Sequence, residues 1–298
     1  MDIKKFKLFL DVAETNNFTK SGDRLGYTQS GVSHILKSLE EEVGFPLFIR
    51  SKHGVTLTKS AKQILPTVRS LLSMYDSLEQ NINEIHGVEI GSITIATFQS
   101  ISISWLPSII HRFQRTYPGI NIKLMEGGTD DIVNWVENDI ADFGFLSKQR
   151  LRSLDWISLY EDPLMAIVPI DYPTNKNDDA ISINEFQEQS FIMTAMGTDY
   201  DVHSALSEAS VIPDVRFTSK DDHAIISMVS NHLGYSILPR LSLNGVESQV
   251  KVLPLSPNCS RNLGIAVKSK ETMSPAASKF IGLTKEMIPE LNDMSCTF

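Results

Sequence analysis

Five side chains fall on one stripe of residues 28–43: Gln29, Ser30, Ser33, His34 and Lys37. A glutamine amide matches the N6 and N7 edge of adenine, and a serine hydroxyl can donate or accept. The lysine suits a phosphate oxygen, and Ser30-Gly31 are small enough to let a helix come close. Arg50 and Lys52 follow in the short basic segment Arg50-Ser51-Lys52-His53-Gly54, suited to the sugar-phosphate backbone or the minor groove. These residue types describe contact with duplex DNA. They are also what a plain solvated helix face carries, so the elements that hold them must decide.

Those elements are legible. Ile3, Phe6, Phe9, Leu10 and Ala13 recur at three- and four-residue steps, predicting an amphipathic helix that Asn16-Asn17 breaks. Thr19 is placed to cap a second short helix, which ends at Gly26, a residue free to turn left-handed. Thr28 is the expected N-cap of a third, with Val32, Ile35, Leu36, Leu39 and Val43 on its buried face and Gly44 and Pro46 closing it. Leu47–Ile49 and Val55–Leu57 flank the basic tip as a small hairpin. Two helices with a glycine turn plus a basic wing predict a winged helix-turn-helix over 1–60.

Beyond it, apolar residues at 65, 68, 72, 75, 78, 82 and 85 alternate threes and fours, as in a coiled-coil seam. A helix over 61–87, roughly 39 Å long at 1.5 Å per residue, would join two copies. Pro66 is placed to kink or restart it. A dimer of heads would read half-sites about 34 Å apart. Residues 88–92 read as a hinge. After them, strands at Ile93–Ala96, Ile120–Met125 and Ile140–Phe145 alternate with helices, predicting an α/β domain over 93–298 with a mostly parallel sheet.

Charge divides along the same line. The chain of 298 residues carries −9 overall, but residues 1–60 hold nine Lys/Arg against seven Asp/Glu, so the acidic surplus lies entirely in the remainder. The head tolerates phosphate and the bulk discourages unspecific adhesion. No apolar run approaches the ~18–20 residues of a membrane span, and the lysine-studded start lacks the apolar stretch of a secretory signal. With only Cys259 and Cys296, the expectation is a cytoplasmic protein with no membrane partner.

The segment FKLFLDVAETNNFTKSGDRLGYTQSGVSHILKSLEEEVGFPLFIRSKHGVTLT resembles the N-terminal domain of LysR-type transcriptional regulators. Phe9 to Ala13, Phe18-Thr19, Leu25, Gln29-Ser30, Val32-Ser33, Ile35, Leu39-Glu40, Gly44, Leu47-Phe48, Arg50 and Leu57-Thr58 carry the match, without insertion over residues 6–58. The resemblance implies DNA contacts at Gln29, Ser33, His34, Lys37 and Arg50, to which Thr28, Ser30 and Lys52 are added from their positions. LPSIIHRFQRTYPGINIKLMEGG, NDIADFGFL and HLGYSILP are similar to the family's effector domain, a two-lobed fold like periplasmic binding proteins. It implies a first lobe of 93–163 and 269–298, a second of 164–268, and crossings near Leu164–Pro169 and Leu263–Lys268. It also implies a sequence-specific regulator of promoter DNA, dimeric through the linker helix and assembled into a tetramer, with RNA polymerase as a further partner.

Several positions depart from the pattern. Ser21-Gly22 stand where two alanines are usual, Ser30-Gly31 where proline-alanine is usual, and Ala61 where a glycine is common. A helical glycine costs up to ~1 kcal/mol relative to alanine. His34 and His53 stand where arginines are common, implying a backbone affinity that is weaker or pH-sensitive.

Ligands in such folds sit beyond the carboxyl ends of strands, at helix starts. By that rule and by the resemblance, the effector candidates are Thr97, Phe98, Gln99, Ser100, Gly128, Thr129, Thr194, Ala195, Met196 and His223. Phe98 and Met196 are equally suited to the core. None of these loops offers an arginine or lysine, which favours a small carboxylate or an uncharged metabolite over a multiply charged phosphate. Phosphate loop, nucleophile elbow and paired-histidine metal helix are all missing from the sequence, so no catalytic residues, metal or cofactor are expected. A solute-binding protein and a cysteine redox sensor are the other rivals. The missing export signal opposes the first, and Cys259 and Cys296 have no flanking thiolate stabiliser beyond Arg261.

Overall fold

The structure, a computed structural model, describes residues 1–51, 54–87, 89–148, 153–173, 180–195, 200–243, 245 and 248–295. The chain divides into two compact units, one of residues 1–88 with 138–140 and one of residues 89–137 with 141–298. No helix among the described residues is long and apolar enough to cross a membrane.

In the first unit, α1 (Ile3–Thr15) ends at Asn16, which adopts a left-handed conformation with φ 52°. The next helix, α2 (Phe18–Leu25), is capped by Asn17 rather than Thr19: the Asn17 side chain accepts the Lys20 N–H at 3.0 Å. Thr19 already lies inside the first turn, where a side chain has no orphan N–H to reach. Gly26 closes α2, and Thr28 caps α3 (Gln29–Val43) by accepting the Gly31 N–H at 3.1 Å. Strands β1 (Phe48–Ser51) and β2 (Gly54–Leu57) pair antiparallel as the wing. Phe9, Val12, Phe18, Val32, Leu36, Leu39 and Leu47 form the core between them.

The long helix α4 (Lys59–Ile85) begins two residues before the expected start, because Thr58 caps it through the Ala61 N–H, and it runs through Pro66. The anticipated seam divides along its length. Val68 and Leu72 are buried in the head's own core, with Leu65 packed against it. Leu71, Met74, Leu78, Ile82 and Ile85 are the exposed apolar residues, again at steps of three and four.

The second unit runs β3 (Gly91–Thr97), α5 (Gln99–Ser104), α6 (Leu106–Thr116), β4 (Ile120–Glu126), α7 (Thr129–Glu137), β5 (Phe143–Ser147) and β6 (Asp155–Pro169). It continues with β7 (Ile181–Ser182), β8 (Ser190–Thr194), α8 (Tyr200–Glu208), β9 (Asp214–Ser219), α9 (Asp222–Ser230) and β10 (Ser236–Pro239). β11 (Val250–Ser256), β12 (Ser260–Val267) and α10 (Pro275–Ser295) complete it. The main sheet is ordered β4-β3-β5-β12-β6-β11-β7, with β10 also on β6, and β8 pairs β9 apart from it.

This sheet is mixed, not mostly parallel. β3 lies parallel to β4 and β5, but β12 is antiparallel to β5 and β6, and β6 to β10 and β11. The antiparallel pairs arise because the chain passes out of the first lobe along β6 and returns along β12. Residues 155–163 of β6 pair with β12, and residues 164–169 pair with β10 and β11. The outward crossing therefore falls at Pro163–Leu164. The return falls between Ser256 and Ser260, earlier than Leu263–Lys268, because the apolar run after Asn262 is a buried central strand of the first lobe.

Candidate DNA-binding face and effector cleft

Thr28, Gln29, Ser30, His34 and Lys37 are exposed on α3, while Val32, Leu36 and Leu39 turn inward. Gly22 makes this presentation work. A Cβ there would stand 2.5 Å from the Tyr27 carbonyl oxygen, so a side chain would push away the turn that leads into α3. The helix penalty for glycine at 22 is thus offset by a close approach no alanine allows.

The wing is tied to the same helix at both ends. Glu40 accepts the backbone N–H groups of Leu47 at 2.6 Å and Phe48 at 3.2 Å. Arg50 donates to the half-buried Ser33 hydroxyl at 2.8 Å, and its guanidinium lies 4.6 Å from the Phe18 ring centre. Ser33 and Arg50 therefore hold each other, and DNA would have to share or replace that bond. Lys52 lies outside the described residues.

A cavity of about 380 Å³ opens between the two lobes of the second unit. Of the ten expected effector residues, Phe98, Gln99, Ser100, Gly128, Thr129 and Thr194 line it. Thr97 is fully buried instead, its hydroxyl donating to the Phe98 carbonyl at 3.1 Å. Ala195 is half-buried outside the lining, its N–H committed to Ser219 O at 2.8 Å. His223 is exposed and outside the lining, because the start of α9 presents Asp222 to the cavity. Met196 lies outside the described residues.

The sequence reading missed the charged part of the lining: Glu126, Asp131, Asp201, Lys220, Asp222 and Arg261. Arg261, expected only as a neighbour of Cys259, projects from β12, where it is the cross-strand partner of Asp162 on β6. Its Nε and Nη2 donate to the Asp162 carboxylate at 2.9 and 2.8 Å, Nη2 also reaches the Ser100 hydroxyl at 2.9 Å, and Phe98 stacks beneath at 5.5 Å. The absence of a basic residue from the expected loops was therefore no guide to the cleft. An arginine just ahead of the apolar run Leu263–Val267 was the signal available.

Asp201 accepts the hydroxyl of Ser147, at the end of β5, at 2.7 Å, so the cleft floor carries a bond between lobes. Burial pushes the Asp201 carboxyl above its ordinary pKa, with Ser147 and Arg261 pulling it back. Burial does the same to Asp222, offset by Ser242 and Arg261. The Cys259 thiol is pushed up by burial and by Glu208, which opposes a reactive thiolate. Cys296 lies outside the described residues.

A winged helix-turn-helix with an exposed polar recognition face, joined to a two-lobed α/β unit with a cleft, defines a ligand-controlled DNA-binding regulator. Two family models match, described as "Bacterial regulatory helix-turn-helix protein, lysR family" over residues 3–62 and "LysR substrate binding domain" over residues 86–289. The chain is 30% identical over 290 residues to the uncharacterized HTH-type transcriptional regulator YvbU of Bacillus subtilis, covering 96% of this chain and 99% of that one. The full-length OxyR C199D structure from Pseudomonas aeruginosa superposes with TM-score 0.76 at 20% identity, covering 97% of both chains. The effector-binding domain of QuiR in complex with shikimate matches with TM-score 0.60 at 21% identity, covering 67% of this chain and 98% of that one. The chain belongs to the LysR family of transcriptional regulators, DNA-binding proteins controlled by small-molecule effectors.

Proposed function

We propose that the chain reads promoter DNA as a homodimer through Thr28, Gln29, Ser30, Ser33, His34 and Lys37, with Arg50 and Lys52 of the wing on the backbone. The observation that carries this reading is the exposed start of α3 with the wing locked to it through Glu40 and the Arg50–Ser33 bond. The exposed row Leu71, Met74, Leu78, Ile82 and Ile85 on α4 supports pairing with a second copy, since a lone helix in water does not keep such a face uncovered. Assembly of dimers into a tetramer and contact with RNA polymerase extend the same reading. It places the protein in the cytoplasm and assigns it regulation, not catalysis.

The cleft residues Phe98, Gln99, Ser100, Gly128, Thr129 and Thr194 contact the effector in this reading, as the homologous domain of QuiR holds shikimate. Arg261, Asp201 and Asp222 join them. The test is fluorescence anisotropy on the DNA upstream of the protein's own gene, over a salt series. Sequence-selective binding that falls steeply with salt and weakens by ~1–3 kcal/mol in Gln29→Ala supports the reading. Equal affinity for unrelated DNA in both proteins refutes it.

A further inference from the structure

We propose that the cleft takes a small metabolite carrying a protonated amine, held between the carboxylates of Asp201 and Asp222. This ligand class rests on the cleft being the effector site. Four acids and two bases of the described residues line the cavity, and the buried base is committed to an acid outside the lining. Arg261 is committed to Asp162, which is fully buried, and is pinned further by Ser100 and Phe98. Lys220 is exposed at the rim. Asp201 and Asp222 share the outlying field of Arg261, Asp222 also lies beside His223, and among the described residues neither forms an ion pair.

A second observation points to a ligand independently. Thr194 is 6% exposed, lines the cavity and has no hydrogen-bond partner for its hydroxyl. A buried hydroxyl left unpaired marks a polar group still to arrive. The start of α7, which would otherwise favour an anion, is already answered: the Asp131 carboxylate accepts the Gly128 N–H at 3.2 Å. An incoming carboxylate would meet that charge and those of Glu126, Asp201 and Asp222. An ammonium meets the opposite field. It also relieves the burial penalty that raises both carboxyl pKa values.

The test uses the full-length protein and three molecules of equal chain length: 1,5-diaminopentane, 5-aminopentanoate and glutarate. Calorimetric titration at low salt is expected to show binding of the two amines and none of glutarate. Asp201→Asn and Asp222→Asn should each weaken amine binding about tenfold, the loss of one close charge pair. The double variant keeps Arg261 and Lys220 and should reverse the preference toward glutarate. Tighter binding of glutarate by the unmodified protein overturns the proposal, as does amine affinity unchanged in both single variants. Absence of amine binding up to about 20 mM overturns it too, since a desolvated charge pair reaches millimolar affinity. DNA footprinting with the same molecules separates this idea from the regulatory one. Amine binding that leaves the footprint unchanged keeps the ligand class and removes the regulatory role of the cleft. A footprint changed by glutarate alone does the reverse.

Discussion

Replacing Asp162 with asparagine removes one charge from a pair that the fold buries, and leaves the side-chain shape intact. Asp162 is 0% and Arg261 8% exposed, and two donors of the guanidinium meet the carboxylate at 2.8 and 2.9 Å. Asp162 accepts the Leu241 N–H on Oδ1 at 3.2 Å and both Arg261 donors on Oδ2. Asparagine, with a single oxygen, keeps an acceptor on only one side and loses hydrogen bonds together with the charge. Breaking a buried pair on one side costs ~3–5 kcal/mol, because a charge is left uncompensated in low dielectric. Asp201 and Asp222 lie in the field of the same guanidinium, which puts the expectation at the lower end, about 3 kcal/mol. For a domain of this size, 1 kcal/mol moves Tm by ~2–4 °C, so the effector-domain transition should fall by roughly 6–12 °C. Differential scanning calorimetry reads it directly. Asp162→Leu combined with Arg261→Met should recover most of the loss, since a buried pair replaced by apolar residues of similar volume is often neutral. A fall worth less than ~1 kcal/mol would equate the pair with an exposed one and refute this account of Arg261.

Three further expectations follow from the same geometry. Gly22→Ala should lower the stability of the head by ~1–3 kcal/mol, opposite in sign to helix propensity, because its Cβ meets the Tyr27 carbonyl; urea melts of the protein decide the sign. Leu78→Asp should convert the dimer to monomer in light scattering and weaken DNA binding, while the head keeps its fold, since Leu78 is 55% exposed in one copy. Asp201→Asn and Asp222→Asn should each raise the Tm of the unliganded protein near neutral pH. Their folded pKa values lie above the unfolded ones, so this stability is present at acid pH and lost as pH rises through the folded values. The gap between variant and parent should therefore close as pH falls below ~3.9, the ordinary aspartate value, where the carboxyl is neutral in both folded and unfolded chains. A gap that widens toward acid would reverse the sign of the burial effect.

Local signals carried the head. Gly26, Thr28 and Gly44 punctuate helices through contacts within four residues, so their roles are written in adjacent sequence. Thr19 and Asn17 are both good caps, and only chain direction at Asn16 chooses between them. The cleft was legible to the extent that loops follow strands: Phe98 to Ser100 and Gly128-Thr129 lie where β3 and β4 end. His223 directly follows Asp222, but on a helix one step is a turn of about 100°, enough to exchange solvent for cavity. Arg261 depends on pairing with Asp162 across 99 residues, and no periodicity encodes such a register. The split of the α4 seam has the same origin, because Val68 and Leu72 belong to a core shared with Phe6, Phe9 and Val12 of α1, which is distant in sequence.

Control by a ligand requires energy that differs between two arrangements of the lobes, and the chemistry of the lining decides how much is available. Moving a population from 1:99 to 99:1 takes ~5.5 kcal/mol of differential affinity. A ligand touching only Ser100, Thr129 and Thr194 would make neutral hydrogen bonds worth ~0.5–1.5 kcal/mol each, so three fall short. Charge-assisted bonds contribute ~1.5–3 kcal/mol each, and Asp201 and Asp222 both belong to the second lobe, opposite Ser100 and Thr129 of the first. An ammonium there, with its other end on the first lobe, draws its binding energy mainly from the arrangement that brings the two sides together. The Ser147–Asp201 bond already favours such an arrangement without ligand, so it takes up part of the population shift that a ligand would otherwise produce. Ser147→Ala should accordingly leave the cleft residues in place and steepen the response to the amine. Small-angle scattering with and without 1,5-diaminopentane reads that change, and an identical response in parent and variant would remove the latch from the mechanism.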